Sequence, residues 1–531
     1  MKHFAELLDR LVLTPSRNGK LTLLADYFRA TPDPDRGLAL AAITGDLNIP
    51  SVKPAMLRQL VTERMDEVLF GYSYDYVGDL AETASLVWPA PHDAAQADPR
   101  LSDVVARLQS ASRADGPAIV SNLLDQLDVS GRFALIKLVT GGLRIGVSAR
   151  LARQSLAQMG NVEANEIEEL WHGLDPPYAS LFAWLEGDAE KPVTDARALF
   201  RPVMLAHPVE DRDLDKADPA DFVAEWKWDG IRLQAAGDGD VRRLYSRTGD
   251  DVAAAFPDLI AAIDFDGVID GELLVGSPAA TGSFSDLQQR LNRKTVSAKL
   301  AAKYPAFMRC YDLLQDGGED LRALPFIERR ARLENFVAKL DPARFDLSPL
   351  VAFSDWIDLD RQRTDPPHPV IEGVMLKRRD SIYVPGRPRG PWFKWKRDPH
   401  TIDAVLMYAQ RGHGKRSSFY SDYTFGVWNG DISKPELVPV GKAYFGFTDE
   451  ELKQIDKYVR DNTIDRFGPV RSVRADMHQG LVLEIAFEGL NRSTRHKSGV
   501  AMRFPRISRL RWDKPSAEAD RLDTLQSLLP E

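Results

Sequence analysis

The sequence predicts three units in succession: an all-α domain over residues 1–200, an α+β domain over 201–398, and a small β-barrel over 399–531. Three observations carry this. A chain of 531 residues, at roughly 150 per domain, divides into about three or four. Strand-like runs are scarce before residue 200 and recur after it. Beyond residue 400, short strands are interrupted by a single helical pattern. Hydrophobic residues at 44 % and charged residues at 28 % are ordinary for a folded chain.

In chain order, residues 21–30 (LTLLADYFRA) place Leu21, Leu24, Tyr27 and Phe28 on one helical face. Residues 132–158 repeat that spacing around Gly141-Gly142, a pair that should split them into two helices. Residues 208–221, dense in Asp and Pro, read as surface loop. Runs of β-branched and aromatic residues then follow at 222–226, 232–236, 241–246, 267–275 and 307–314, separated by Gly/Asp turns. A helical pattern covers 323–340, which makes this unit α+β. Asp398-Pro399-His400-Thr401 interrupts the pattern again. Strands are expected at 402–409, 423–428, 437–445 and 481–487, with a helix over 448–461. Thr448 with Glu451 three residues later is a capping box that starts this helix. Short strands with one helix suit an OB-fold.

Composition narrows the function. Cys310 is the single cysteine, so neither an internal disulfide nor a multi-cysteine zinc cluster can form, and a cytoplasmic home is expected. No run approaches the roughly 18 apolar residues of a membrane span, and the N-terminus lacks the apolar core of a signal peptide. The net charge is −9, but it is unevenly placed: residues 1–200 hold 19 basic and 27 acidic side chains. Residues 371–397 hold eight basic residues against Glu372 and Asp380, and 492–514 hold eight against Asp513. An isolated basic run is usually a solvated face. Two of them flanking a candidate centre point to a phosphate-rich ligand.

The sharpest local signal is Glu225-Trp226-Lys227-Trp228-Asp229-Gly230-Ile231-Arg232. A lysine at a strand-to-turn junction is rigidly held, and neighbouring cations favour its neutral, nucleophilic form. Such an amine can attack a carbonyl or a phosphorus. Gly230 lets backbone pass close to a ligand, and Arg232 can fork onto carboxylate or phosphate. Downstream, Asp270-Gly271-Glu272 ends a strand, and Tyr311-Asp312 puts an aromatic where it could cover a planar base. Glu372-Gly373-Val374-Met375-Leu376-Lys377 frames a strand, and Lys394 and Lys396 share a strand face. Each alone is more often structural. Converging on one pocket, two carboxylates and three lysines suit a nucleotide and a divalent metal.

In order and spacing these segments resemble the nucleotidyltransferase motifs of ATP-dependent DNA ligases, a superfamily shared with RNA ligases and mRNA capping enzymes. KWDGIR is similar to the motif of the nucleophilic lysine, and Tyr245-Ser246-Arg247-Thr248-Gly249 to the S-R motif after it. Arg201-Pro202-Val203-Met204-Leu205-Ala206 resembles the opening of the adenylation domain. Arg503-Phe504-Pro505-Arg506 through Asp513-Lys514 resembles the last motif, on the OB domain. Gly141 to Val147 (GGLRIGV) is similar to the signature of the helical DNA-binding domain, which makes Arg144 a candidate DNA contact. The likeness spans about residues 140–515.

That resemblance implies roles. Lys227 would carry AMP, Glu225 would accept the adenine amino group, and Tyr311 would stack on the ring. Arg232 and Arg247 would hold ribose and phosphates. Glu272 and Glu372 would bind Mg²⁺ (or Mn²⁺) or ribose, and Lys377, Lys394 and Lys396 would meet the α-phosphate. Arg503, Arg506 and Lys514 would serve the first chemical step, and Asp398 sits where a hinge would swing the OB domain. The family's paired basic residues before the tryptophan are replaced by Gly386-Arg387-Pro388-Arg389-Gly390, which leaves Arg387 or Arg389 as the nucleotide contact.

The expected reaction is ATP-driven sealing of nicked double-stranded DNA in repair, recombination or replication, by a monomer. Gly412-His413-Gly414-Lys415-Arg416-Ser417 fails as a phosphate loop because Arg416 stands where Ser or Thr should be. A basic hairpin turn fits better, with Lys415 and Arg416 touching DNA backbone. Trp226, Trp228, Trp392 and Trp395 are expected to face away from the lysines. The long helical N-terminal region argues against an RNA ligase or capping guanylyltransferase, and a single cysteine against an NAD⁺-dependent ligase. A non-catalytic nick binder would lack the nucleophile or a metal carboxylate, and neither is missing.

Overall fold

The computed structural model describes residues 1–49, 53–77, 79–89, 98–193, 197–210, 212–291, 293–412, 419–430, 435–494 and 496–529, leaving aside the side chains at 75 and 76. Lys415 and Arg416, and Arg495 of the second basic run, lie outside the described residues.

From Lys2 to Glu186 the described chain is helical, packed around one core that includes Phe4, Leu8, Leu24, Phe28 and Phe182. The expected break falls at the glycine pair: helix Val129–Thr140 ends on Gly141 in the left-handed conformation, φ +71°. Ser148 caps the next helix, Ala149–Gly160, by accepting from the Leu151 amide. Between them Leu143 and Ile145 are buried while Arg144 points out. Lys20 Nζ donates to the Ile145 and Gly146 carbonyls at 2.9 Å each, which fixes the loop.

The middle unit has two sheets. One runs His207–Pro208, Trp392–Lys396, Ile371–Arg378, Phe222–Trp228, Leu350–Val351 in spatial order. The other runs Val241–Ser246, Ile231–Asp238, Gly267–Ser277, Ala306–Asp316, Glu319–Asp320, with Phe345–Leu347 alongside Ala306–Asp316. Strand Phe222–Trp228 leads into the second sheet through Asp229-Gly230. A Cβ on Gly230 would lie 2.4 Å from the Leu273 carbonyl oxygen, so only glycine lets the connection pass against strand Gly267–Ser277 there. The chain crosses back at Ser348-Pro349, between Phe345–Leu347 and Leu350–Val351.

The last unit is built on the long strand His400–Arg411. It pairs with Val482–Phe487 at one end and with Tyr420–Asn429 and Val470–Val473 towards the other. Helix Asp449–Asp461 opens with the capping box, Thr448 and Glu451 each bonding the other's backbone amide. Three strands pairing along one long strand, with the helix Asp449–Asp461 and a short one at Leu522–Gln526, is the strand-rich OB-like arrangement.

Candidate active site

A pocket of about 430 Å³ lies between the two sheets. Glu225, Lys227, Arg232, Arg247, Glu272, Tyr311, Glu372, Lys377, Arg387, Lys394 and Lys396 all line it. Alternation explains part of this: Glu225 and Lys227, two apart on one strand, share the face turned to the pocket. Glu372 arrives by a different device. Ile371 opposes Trp228 and Gly373 opposes Lys227, so Glu372 is the extra residue of a bulge. That bulge re-aims its carboxylate onto Lys227.

At the Lys227 end, Lys227 Nζ donates to Glu372 Oε1. Lys396 Nζ lies 3.1 Å from the other Glu372 oxygen and 2.9 Å from Glu488 of the OB-like unit. Burial raises the Glu372 carboxyl, but Lys227 and Lys396 more than offset it and hold it below its ordinary value. Glu272 lacks that compensation. Burial pushes it up to about 8, Lys227 opposing and Glu372 adding to the shift. Lys394 is lowered, by burial first and then by Arg387 and Lys227. Arg247 is lowered by burial and by Arg232 and Arg387. Arg247, Arg387 and Lys394 form no ion pair among the described residues, so three cations without a bonded carboxylate line one space. Of the two candidate arginines, Arg387 lines the pocket, while Arg389 is 76 % exposed and 3.8 Å from Glu210.

The opposite end is built differently. Glu225, 2 % exposed, accepts from Arg330 Nη1 at 2.9 Å and from Lys377 Nζ at 2.6 Å. Lys377 was expected at the α-phosphate. Its side chain is instead buried, its Nζ held by Glu225 and the Tyr311 carbonyl (3.3 Å) and 4.6 Å from the Tyr311 ring centre. The reason is its register. Lys377 lies opposite Trp392 in the ladder, and Trp392 closes its face at 4.7 Å. This also corrects the expectation for Trp392. Positions 392, 394 and 396 share one strand face, so Trp392 floors the pocket with the lysines rather than facing away; Trp226 and Trp228 also line it, and only Trp395 of the four does not.

Arg232 is likewise committed. It forks onto Asp270 (3.1 and 2.6 Å), donates to the Met204 carbonyl (2.5 Å) and meets the Tyr383 hydroxyl (3.0 Å). Four of its five N–H groups are taken, leaving about one for a ligand. Asp270, fully buried, was noticed only as part of a motif. Arg330, Asp270 and Tyr383 are supports that sequence reading missed. Arg330 contacts Glu225 across 105 residues and carries no local signal. Asp270 shares a strand face with Glu272, and that spacing could have found it.

The last-motif cations separate. Arg503 crosses to the middle unit, bonding Asp229 through both Nη1 and Nη2 (the latter 3.1 Å) with its guanidinium 4.5 Å from the Phe284 ring centre. Lys514 stays on the OB-like unit, 2.7 Å from Asp403, and Arg506 lies in strand Arg506–Arg511 outside the pocket. Asp398 is 89 % exposed, between the last strand of one unit and the first of the next. A second cleft of about 640 Å³ separates the helical unit from the middle one and shares Leu205 and Arg247 with the nucleotide-sized pocket. Among the described residues no helix is long and apolar enough to cross a membrane.

Comparison with known proteins agrees with this geometry. The profile described as ATP dependent DNA ligase domain matches residues 203–396. The ATP dependent DNA ligase C terminal region matches 416–514, and the DNA ligase N terminus matches 1–157. A probable DNA ligase of Koribacter versatilis is 30 % identical over 99 % of this chain and 96 % of its own length. One from Streptomyces avermitilis is 30 % identical over 100 % of this chain and 99 % of its own. The solved structure Pmar-Lig_Pre aligns with a TM-score of 0.60 at 16 % identity, covering 96 % of this chain and 99 % of that one, a likeness of fold.

Proposed function

The chain belongs to the ATP-dependent DNA ligase family, and on that premise we propose that Lys227 takes AMP from ATP to begin the sealing of nicked duplex DNA. One observation carries the assignment: Lys227 lines one pocket with the acidic pair Glu272 and Glu372 and with the cations Arg247, Arg387 and Lys394, which have no ion-pair partner among the described residues. A triphosphate is the ligand that such a half-compensated pocket fits.

The base lies at the far end, its amino group accepted by Glu225 and its ring against Tyr311. Arg330 and Lys377 hold the Glu225 carboxylate in place rather than touching phosphate. Lys227, relieved of its proton, attacks the α-phosphorus, forming the N–P bond as the bond to pyrophosphate breaks. An oxygen of the nick's 5′-phosphate then attacks the adenylate phosphorus as the N–P bond to Lys227 breaks, and attack by the neighbouring 3′-hydroxyl closes the strand and expels AMP. Arg247, on the wall shared by the pocket and the interdomain cleft, gives that 5′-phosphate a cationic approach.

Mg²⁺ is commonly held by one or two carboxylates together with substrate phosphates. Glu272 and Glu372 fit that part, because both line the pocket and the Glu372 charge adds to the upward shift of Glu272, which a bound cation would oppose. A bound divalent ion would neutralise phosphate charge there. Arg144 and, beyond the described residues, Lys415 and Arg416 are the proposed contacts to DNA backbone. The hinge is proposed at Asp398, and the working unit is a monomer.

The test is direct. Incubated with α-labelled ATP and Mg²⁺, the protein should retain label as a Lys227 adduct, and a nicked duplex should discharge it as sealed strand. Lys227→Ala should retain none. Label on that variant, or a wild-type protein that never takes up AMP, refutes the assignment.

A further inference from the structure

Ser348 lies where the chain crosses from one sheet to the other, at the base end of the pocket. Its amide donates to the Cys310 carbonyl at 2.8 Å, beside Tyr311, and its own carbonyl accepts from Arg330 Nη2 at 2.8 Å. The same guanidinium holds Glu225, and Leu350, two residues on, pairs with Glu225 in the ladder. Ser348 is therefore fixed between the carboxylate and the aromatic ring. It lines the pocket, it is 1 % exposed, and its hydroxyl has no hydrogen-bond partner.

A buried hydroxyl without a partner is a standing cost, since it has given up water for nothing. Among the described residues, two that line this pocket carry such an atom, Ser348 its Oγ and Trp228 its Nε1. The Trp228 ring is already covered by Arg309, 4.0 Å away. The serine has only its backbone engaged.

We propose that the Ser348 hydroxyl is completed by the nucleotide, donating a hydrogen bond to the adenine ring nitrogen that flanks the amino group taken by Glu225. This rests on reading the pocket as the ATP site and deepens it. Glu225, an acceptor only, takes the amino hydrogens and repels the oxygen that guanine carries there. Ser348 supplies what Glu225 lacks, a donor for N1 or N7. Together they read two adjacent positions of the purine edge with opposite polarity. Ser348 is thus a specificity-determining residue of the adenylation step.

Ser348→Ala separates this role from a structural one, because no existing bond is removed. Without nucleotide, the variant should unfold at the same or a higher denaturant concentration than wild type. Its KM for ATP in enzyme adenylation should rise about fivefold to tenfold, the worth of one hydrogen bond, with kcat nearly unchanged. In wild type, either 1-deaza-ATP or 7-deaza-ATP should suffer a similar penalty, and in Ser348→Ala that penalty should vanish. An unchanged KM overturns the proposal. So does a raised KM with both analogue penalties intact, or a destabilised nucleotide-free variant. A wild-type protein that takes up no AMP at all would instead overturn the ligase reading.

Discussion

Replacing Glu272 with glutamine should change how stability depends on pH. Burial pushes the Glu272 carboxyl from an ordinary 4.5 up to about 8, so between those values the folded chain keeps a proton that the unfolded chain has released. Stability must then fall as pH rises through that window, by up to about 1.4 kcal/mol per pH unit, and level off above about 8. Between pH 6 and pH 8 the loss comes to about 2 kcal/mol, since titration is half complete at the upper end. Glutamine keeps the shape of the protonated carboxyl and carries no such dependence. Urea unfolding of both proteins, followed by tryptophan fluorescence in EDTA, gives the difference at each pH, and titrating groups away from the pocket cancel. Wild type should lose about 2 kcal/mol relative to Glu272→Gln from pH 6 to pH 8. A flat difference, or one that favours wild type at pH 8, would mean that Glu272 is ionised in the folded state.

Two further perturbations address the scaffold and the domain contact. Asp312 and Arg329 are both fully buried and bonded twice, at 2.8 and 2.9 Å. Asp312→Ala strands a guanidinium in the interior and should cost about 3–5 kcal/mol in the same unfolding assay; a loss below about 1 kcal/mol would show that water reaches Arg329. Arg503→Ala removes the bond to Asp229 and the contact over Phe284, together worth about 1–2 kcal/mol. Enzyme adenylation should slow about fivefold to thirtyfold while sealing of a pre-adenylated nick changes little. Equal slowing of both steps would deny Arg503 a role confined to the first.

Local sequence was enough for the order of the units, the glycine break at Gly141 and the capping box at Thr448, while the full set of eleven side chains that meet in the pocket came through the resemblance to a known family. These are local facts: periodicity, turn chemistry and motif spacing act over a few residues. What those side chains do once assembled was decided by tertiary structure. Lys377 faces Trp392 across a ladder and so binds Glu225, Arg232 is spent on Asp270, and Lys514 is claimed by Asp403 while Arg503 reaches Asp229. A cation's role depends on which carboxylate lies nearest after folding. That partner is fixed by register, a bulge at Glu372 and the docking of one unit on another, over separations from 38 to 274 residues. Ser348 shows the limit most plainly, because an unmet hydroxyl exists only once the chain around it has closed.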